Sequence, residues 1–226
     1  MISGYFVTGT STGVGKTLVS CALLHAFRLH GKSALGMKPV ASGCENGRCA
    51  DVDFLAAASS VAARREQMNP YAFVPPIAPH IAARQSGIEI DIEVILQAWL
   101  ELKTIADVVV VEGIGGFLVP LNDSQDSSHL ARALGLPVVL VVGIQLGCLN
   151  HALLTAQAVR AAGLALTGWV ANRIDPQMDA FDENLLALEQ RLSCPLLGVL
   201  PFEPGANAKK MSGLLSVSAM EHSCFY

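Results

Sequence analysis

The residue pattern with the clearest chemical meaning is a glycine-rich stretch near the N-terminus, Gly9-Thr10-Ser11-Thr12-Gly13-Val14-Gly15-Lys16-Thr17. It fits the phosphate-binding P-loop, G-x-x-x-x-G-K-[ST], if the first glycine is relaxed to Thr10. Small residues let backbone N–H groups turn toward an anion, and the following helix start adds positive potential. Lys16 would reach the outer phosphates of a nucleotide, and the Thr17 hydroxyl would bind Mg²⁺. An ordinary glycine-rich turn is the weaker alternative.

Acidic residues elsewhere in the chain are candidate ligands for the same metal ion. Glu112 follows the apolar run at residues 108–111 and precedes glycines that permit close backbone approach to a ligand. Asp51 and Asp53 are candidates in a second region, although acidic residues are also common in the first turn of a helix. Carboxylate oxygens suit Mg²⁺, and the residues alone do not choose between the two aspartates.

The elements that must position these residues alternate between apolar runs and helical patterns, which indicates a parallel α/β sheet with helices on both faces. Strands are predicted at residues 5–8, 34–37, 108–111, 138–142, 166–172 and 196–200, and helices at residues 16–30, 52–66, 92–104, 149–162 and 179–192. Residues 43–50 are predicted to form a loop, and the prolines in residues 69–76 exclude a regular helix. Polar residues follow the strand ends, where open parallel sheets bind ligands.

The overall composition suits a single α/β domain over residues 1–226, since 52% of the residues are hydrophobic and 15% are charged. The segment after Pro204 carries little pattern. A formal net charge of −4 gives no basic surface, so we expect neither nucleic acid nor an acidic membrane as a partner. The longest apolar runs, such as residues 138–142, are too short to span a bilayer.

Six cysteines, at positions 21, 44, 49, 148, 194 and 224, form no zinc-binding pattern. Cys44 and Cys49 are close in the sequence, but no second pair or nearby histidine completes a ligand set. We therefore expect free thiols in a reducing cytoplasm. The N-terminus lacks a basic region and the P-loop begins by Gly9, so no secretory signal peptide is expected.

Several motifs, in order along the chain, resemble those of dethiobiotin synthetases. The P-loop is similar to that family's Gly-Thr-Asp-Thr-x-Val-Gly-Lys-Thr, and residues 38–43 are similar to its Lys-Pro-Val-x-Ser-Gly segment. The other similar segments are Asn69-Pro70-Tyr71, Pro79-His80, and residues 111–116, 146–151 and 168–172, which match Val-Glu-Gly-x-Gly-Gly, Leu-Gly-x-x-Asn-His and Gly-Trp-Val-Ala-Asn. The resemblance runs from Tyr5 to about Pro201, nearly the whole chain.

The resemblance implies a P-loop NTPase fold and an enzyme that uses Mg²⁺ and ATP to close a urea ring on 7,8-diaminononanoate with CO₂. In that scheme a substrate amine takes up CO₂ as a carbamate, and the carbamate oxygen attacks the γ-phosphate of ATP. The second amine then closes the mixed anhydride, and ADP and phosphate are released. The resemblance also implies a cytoplasmic homodimer, in which the Leu-Gly-x-x-Asn-His segment of a second subunit binds the substrate carboxylate.

The same resemblance implies a role for each site residue. Lys16 and Lys38 are the implied catalytic residues, with Lys38 expected at the tip of the strand next to the P-loop strand. The implied metal ligands are Thr17, Asp53 and Glu112. The residues implied to bind ATP are Gly13, Val14, Gly15, Lys16, Thr17, Leu18, Asp53, Glu112, Gly113, Ile114, Gly115, Asn172, Arg173, Pro201, Phe202 and Glu203, with Asn172 reading the adenine edge. The residues implied to bind the substrate are Thr12, Lys38, Ser42, Gly147, Cys148, Leu149 and Asn150.

Departures from the family pattern and competing interpretations remain. Ser11 stands where Asp is usual and Gly13 where some members carry an acidic residue, so neither position supplies a carboxylate. The main alternative is a partitioning or site-selection ATPase that acts as a switch, whose extra P-loop lysine would fall at Ser11. A glutamine-dependent amidoligase would need a further domain, and a nucleotide-binding module without turnover is a third possibility. Without the resemblance, Lys38 would be interpreted as a surface lysine and Ser42 as a turn residue.

Overall fold

In the computed structural model, which describes residues 4–45 and 47–222, the chain folds around a six-stranded parallel β-sheet. The strands of the chain are β1 Gly4–Gly9, β2 Ala34–Met37, β3 Val40–Ser42, β4 Tyr71–Phe73, β5 Val108–Glu112, β6 Val138–Ile144, β7 Leu166–Arg173 and β8 Leu196–Leu200. Their order in the main sheet is β2-β5-β1-β6-β7-β8, while β3 and β4 form a separate parallel pair. Every neighbouring pair in the main sheet is parallel, as predicted.

Helices cover both faces of this sheet. They are α1 Lys16–Leu29, α2 Ala50–Ala58, α3 Arg65–Met68, α4 Pro79–Gln85, α5 Ile92–Leu102, α6 Ser127–Leu134, α7 Cys148–Ala161, α8 Phe181–Leu192, α9 Ala208–Met211 and α10 Ser218–His222, with a 3₁₀ turn at Ser212–Leu214. Val108 and Val110 of β5 pack with α1 on one face, whereas the intervening valines pack with α5 and α6 on the other. Because both faces are buried, this strand is an unbroken run of valines.

The predicted helix over residues 52–66 is confirmed only as far as Ala58, because two serines end α2 early. The Ser59 hydroxyl donates to the Leu55 carbonyl at 2.7 Å and accepts from the Gly36 N–H at 3.0 Å. The Ser60 hydroxyl accepts from the Ala34 N–H at 2.8 Å. β2 is an edge strand, so these hydroxyls satisfy backbone donors that no neighbouring strand pairs.

The segment after Pro204, for which the sequence predicted no structure, packs onto α1. Met211, Val217 and Met220 are buried in the same apolar cluster as the inner face of that helix. The Asn207 side chain begins α9 by accepting a hydrogen bond from the Lys209 N–H at 2.9 Å. None of the helices in the described ranges has the length and apolar content needed to cross a bilayer.

Cys44 and Cys49 form a disulfide bond, so the expectation that every cysteine is a free thiol is wrong. Both residues are buried, and the bond closes a short turn between the end of β3 and the start of α2. Cys21, Cys148 and Cys194 carry free thiols, and Cys224 lies outside the described residues. The disulfide therefore joins the two chain segments that carry Ser42 and Asp51.

Candidate active site

The P-loop connects β1 to α1 at the carboxyl edge of the sheet, as predicted. Gly13 and Gly15 have φ angles of 77° and 87°, a left-handed conformation that favours glycine. A Cβ atom on Gly15 would also lie only 2.1 Å from Nδ2 of Asn172. The Thr10 N–H donates to the Val141 carbonyl at 3.0 Å, which fixes the start of the loop to β6.

Lys16 is buried beside the loop, with its Nζ donating to the Ser11 carbonyl at 2.9 Å. Burial lowers the pKa of Lys16 to about 8, and the nearby Lys38 ammonium contributes in the same direction. A phosphate placed in the loop would favour the charged form of Lys16. A polyanion bound in the loop would therefore meet the positive charge of Lys16, which the protein itself offsets only weakly.

Glu112 is the centre of a buried charged cluster at the ends of β2 and β5. Its Oε1 accepts hydrogen bonds from Lys38 Nζ at 2.5 Å and from Thr17 Oγ1 at 2.9 Å. The strand next to β1 on this side is β5, so the expectation that Lys38 lies on the neighbouring strand is wrong. Lys38 instead extends across the end of β5, and Glu112 connects it to the P-loop.

Asp51, rather than the predicted Asp53, belongs to this cluster. Asp51 Oδ2 lies 3.0 Å from Lys38 Nζ, whereas Asp53 contacts Arg65 Nη1 at 2.5 Å and Arg48 Nε at 3.4 Å. Two residues of helix correspond to a rotation of about 200°, so adjacent acidic positions in α2 point to opposite sides. The structure therefore contradicts Asp53 as a member of the site.

Lys38 and Asp51 each stabilise the charged form of the other. Burial alone would lower the pKa of Lys38, but the Glu112 and Asp51 carboxylates outweigh it and raise that pKa. Burial alone would likewise raise the pKa of Asp51, and the Lys38 ammonium outweighs it and lowers that pKa. Both side chains are consequently charged at neutral pH.

The oxygen atoms of the cluster fit a hard divalent cation. Glu112 Oε2 is buried and has no hydrogen-bond partner among the described residues, although a buried carboxylate oxygen is costly to leave unpaired. Thr17 and Asp51 supply further oxygen atoms, and Mg²⁺ prefers such ligands together with waters and substrate phosphates. Within residues 4–45 and 47–222 there is no group of three or more His, Cys, Asp or Glu side chains placed to share a metal ion.

The predicted glycine-rich segment after β5 packs beside the P-loop. The Gly113 N–H donates to the Val7 carbonyl at 2.9 Å, and a Cβ atom on Gly115 would lie 3.6 Å from Thr12 Oγ1. Ile114 between them is half-buried and packs against the apolar cluster around α5. The segment therefore lies against the P-loop on the side where Thr12 points.

Two residues near Lys38 complete this side of the site. The Ser42 hydroxyl at the end of β3 is buried and, within the described part of the chain, has no hydrogen-bond partner. Asn69, whose role the sequence did not reveal, donates from Nδ2 to the Lys38 carbonyl at 2.7 Å and to the Tyr71 carbonyl at 3.0 Å. Asn69 thus holds the backbone that carries Lys38, while the Ser42 hydroxyl has no partner among the residues that the structure describes.

The residues predicted to surround the nucleotide base do not all lie together in the structure. Asn172 lies against the P-loop and donates from Nδ2 to the Val14 carbonyl at 2.8 Å. The Arg173 guanidinium points away, donating to the Pro176 carbonyl at 2.9 Å and lying 4.9 Å from the centre of the Phe181 ring. Pro201 and Phe202 are exposed after β8, and Glu203 pairs with Lys210 at 2.9 Å.

A cavity of about 360 Å³ adjoins Thr17 and Asp51 of this cluster. Thr17, Leu18 and Asp51 line one part of it, and the rest lies between α1, α2 and the start of α9. Its walls are mostly apolar, with Phe54 and several alanines. Leu18, predicted to contact ATP, is therefore placed at a surface that a ligand can reach.

The predicted carboxylate-binding segment begins α7 at the end of β6. Gly147 has a φ of 92°, and Leu146 before it exposes 92% of its surface. The Cys148 side chain is buried against the sheet, so only its backbone is available to a ligand, whereas Leu149 is half-buried and Asn150 is exposed. The segment therefore presents an apolar side chain and a helix start outward.

Comparison with known proteins gives three kinds of similarity. A family model described as an AAA domain matches residues 3–210. The ATP-dependent dethiobiotin synthetase BioD of Nitrosospira multiformis is 67% identical over 218 residues, covering 96% of this chain and 96% of that protein. The protein of the same name from Aromatoleum aromaticum is 54% identical over 215 residues, covering 93% and 96% of the two chains.

Solved structures with lower identity show the fold alone. The septum site-determining protein MinD of Pyrococcus horikoshii, complexed with Mg-ADP, is 19% identical with a TM-score of 0.54, covering 99% of this chain and 90% of that one. MinD of Aquifex aeolicus is 15% identical with a TM-score of 0.55, covering 97% and 86%. These similarities confirm the predicted P-loop NTPase fold.

Proposed function

The chain belongs to the family of ATP-dependent dethiobiotin synthetases, ligase-type enzymes, and we propose that its P-loop and the cluster around Glu112 together perform the ring closure. The observation that carries this proposal is the shared contact of Glu112 Oε1 with Lys38 and Thr17 at 2.5 and 2.9 Å. It joins an ammonium group, a carboxylate and the P-loop hydroxyl at one strand end.

The proposed reaction has three steps. An amine of 7,8-diaminononanoate adds to CO₂ and loses a proton, which gives a carbamate. A carbamate oxygen attacks the γ-phosphorus of ATP, and the bond to ADP breaks. The second amine attacks the carbonyl carbon of the resulting carbamic-phosphoric anhydride and loses a proton, and phosphate leaves as the ring closes.

In this reaction the two lysines provide positive charge where phosphoryl transfer needs it. Lys16 would exchange its bond to the Ser11 carbonyl for the β- and γ-phosphates of ATP. Lys38, held by Glu112 and Asp51, would offset the negative charge that moves from the carbamate oxygen to the transferred phosphoryl group. The raised pKa of Lys38 supports a role as a fixed cation, not as a base.

We propose that Thr17, Asp51 and Glu112 hold Mg²⁺, so that Asp51 takes the role of metal ligand that was expected of Asp53. The unpaired Oε2 of Glu112 supports this, because it is a buried acceptor that no protein donor satisfies within the described residues. When bound, the ion would neutralise charge on the nucleotide phosphates. Asp51 is held on the Lys38 side of the cluster at 3.0 Å, so its carboxylate is already oriented.

The substrate contacts follow from the polar groups that the protein leaves unpaired. Among the described residues the Ser42 hydroxyl is buried without a partner, and it would bind an amine or the carbamate, with Thr12 as a second proposed substrate contact. We further propose a homodimer in which residues 147–150 of one subunit bind the substrate carboxylate in the other. The start of α7 offers backbone N–H groups to an anion, and Leu146, 92% exposed, gives that surface an apolar contact.

Several broader properties complete the proposal. We propose one domain over residues 1–226, since the segment after Pro204 packs onto α1. We propose a cytoplasmic location because ATP is a substrate, and no nucleic-acid or membrane partner. A switch-type ATPase is not favoured, because relatives that are 67% and 54% identical to this chain over the aligned residues carry the synthetase name.

The test is an assay with 7,8-diaminononanoate, bicarbonate and Mg-ATP, in which released phosphate and dethiobiotin are measured together. We expect equal amounts of both products, and no phosphate when the diamine is omitted. A monoamine analogue such as 7-aminononanoate is the matched control, because it can form a carbamate but cannot close the ring. ATP consumption at the same rate with and without the diamine would contradict the proposal and favour a switch-type ATPase.

A further inference from the structure

The amide of Asn172 connects the end of β7 to the phosphate loop. We propose that Asn172 is a positioning residue that holds the Val14 carbonyl and thereby orients the Gly15 N–H for phosphate binding. The inference rests on the proposed function in one respect, namely that the P-loop binds the polyphosphate of ATP. It adds to the expected contact with adenine a second role, directed at the loop itself.

The geometry leaves Val14 little freedom. Asn172 is 5% exposed, and its Nδ2 donates to the Val14 carbonyl at 2.8 Å. The Val14 side chain is 2% exposed, and its two methyl groups lie 2.7 and 2.8 Å from the positions that a Cβ would take on Gly9 and Gly143. Packing therefore fixes the side chain of Val14, and the Asn172 amide fixes its carbonyl.

A fixed carbonyl also fixes the next backbone donor. In a planar trans peptide the C=O and the following N–H point in opposite directions, so the Val14 carbonyl directed at Asn172 turns the Gly15 N–H away from β7. Loops that bind anions use backbone N–H groups turned to one side in this way. Gly15 is required for this arrangement, because a Cβ at that position would lie 2.1 Å from Asn172 Nδ2.

Holding the loop does not prevent Asn172 from binding a base. An asparagine amide has two N–H donors and a carbonyl oxygen, and the bond to Val14 uses one donor. The second donor and Oδ1 remain for the edge of adenine. Without the amide, the buried Val14 carbonyl would lose its partner, and the peptide between Val14 and Gly15 would lose the bond that sets its direction.

A ligand that has phosphates but no base can separate the positioning of the loop from the contact with adenine. The dissociation constants of Mg-ATP and of inorganic tripolyphosphate with Mg²⁺ would be measured by calorimetry for the wild type, Asn172→Ala and Asn172→Leu. If Asn172 positions the loop, both ligands should bind about threefold to tenfold more weakly in both variants, the range for one lost hydrogen bond. Two variants of different size, each checked by its urea unfolding curve, guard against a folding defect.

Asn184→Ala is the matched control, since Asn184 Nδ2 also donates to a backbone carbonyl, that of Ala180 at 2.8 Å, but on α8. Tripolyphosphate binding should be unchanged in it. Weaker ATP binding with unchanged tripolyphosphate binding in both Asn172 variants would overturn the inference and leave only base contact. A failure of the proposed function looks different, because the wild type would then bind tripolyphosphate without forming dethiobiotin.

Discussion

Lys38 and Glu112 form a buried ion pair across the ends of two adjacent strands, with 2.5 Å between Nζ and Oε1. The side chains are 5% and 0% exposed. Such a pair holds its partners in one geometry but leaves a costly unpaired charge when one partner is removed. The proposed catalytic lysine and the proposed metal ligand therefore depend on each other for their position and charge.

Lys38→Ala should abolish dethiobiotin formation, because the reacting oxygens lose their cation. It should also lower the free energy of unfolding by about 3–5 kcal/mol, since the Glu112 carboxylate remains buried without its partner. Urea unfolding and product assays would measure the two effects. The double variant Lys38→Met/Glu112→Gln should recover stability but not activity. Full activity in Lys38→Ala would remove this lysine from the mechanism.

Asp51→Asn and Asp53→Asn form a matched pair of variants two residues apart. Asp51→Asn should raise the Mg²⁺ concentration needed for half-maximal activity by at least about tenfold, because it removes a proposed ligand charge. Asp53→Asn should leave that concentration unchanged, since Asp53 contacts Arg65 and Arg48 at the surface. Magnesium titrations of activity would show this, and the reverse ranking would restore Asp53 as the ligand.

The affinity for ATP should depend on pH through Lys16, whose pKa in the free protein is about 8. Bound phosphates favour the ammonium, so the pKa of Lys16 is higher in the complex than in the free protein. Well below pH 8 the lysine is protonated in both states, and affinity should be constant. Between the free and bound pKa values, binding requires proton uptake, so the dissociation constant should rise by up to about tenfold per pH unit.

Calorimetry of nucleotide binding from neutral to alkaline pH would measure this dependence. Lys16→Arg is the control, because a guanidinium stays charged throughout that range. Its affinity should be independent of pH even if it is weaker overall. An equal slope in the arginine variant would assign the pH dependence to another group.

The Cys44–Cys49 disulfide should stabilise the turn that precedes α2. Closing so short a loop contributes about 2 kcal/mol in the chain-entropy description, so Cys44→Ser/Cys49→Ser should lower the free energy of unfolding, measured in urea, by that amount. The double variant should also need more Mg²⁺, because the turn positions Asp51. Dithiothreitol should reproduce both effects in the wild type. Cys194→Ser, at a half-buried free thiol, is the control and should change neither.

Disulfides are rare in reducing compartments. The disulfide bond in the structure therefore conflicts with the proposed cytoplasmic location. Mass spectrometry of protein alkylated under native and reducing conditions would count the bonded thiols directly. A fully reduced pair in freshly isolated protein would contradict the disulfide and agree with the original expectation of free thiols.

Much of the site was predictable because its residues follow strand ends, where a parallel sheet gathers them. Lys38 directly follows β2, Glu112 is the last residue of β5, and Thr17 stands at the start of α1 after the P-loop, and the structure brings all three together. The choice between Asp51 and Asp53 was not predictable, because it depends on the rotation of α2 about its axis. That rotation is fixed partly by contacts remote in sequence, namely the hydrogen bonds of Ser59 and Ser60 to β2, and partly by the local disulfide before the other end of the helix.

Two missed helices had local signals. Asp126 accepts hydrogen bonds from the Ser128 and His129 N–H groups at the start of α6, and Gly135 follows its last residue, a common start and stop. α4 begins with Pro79 at its first position, which is also a known preference. The role of Asn69 had no such signal, because it depends on Lys38, which is distant in sequence.

The hydroxyls of Ser59 and Ser60 have a consequence for self-association. An open sheet edge with unused N–H groups is a template on which another chain can add a strand, and this leads to aggregation. In β2 those donors at Ala34 and Gly36 are already occupied by the two serines. In the folded chain the end of α2 therefore occupies the donors through which this edge of the sheet could pair with a strand of another chain.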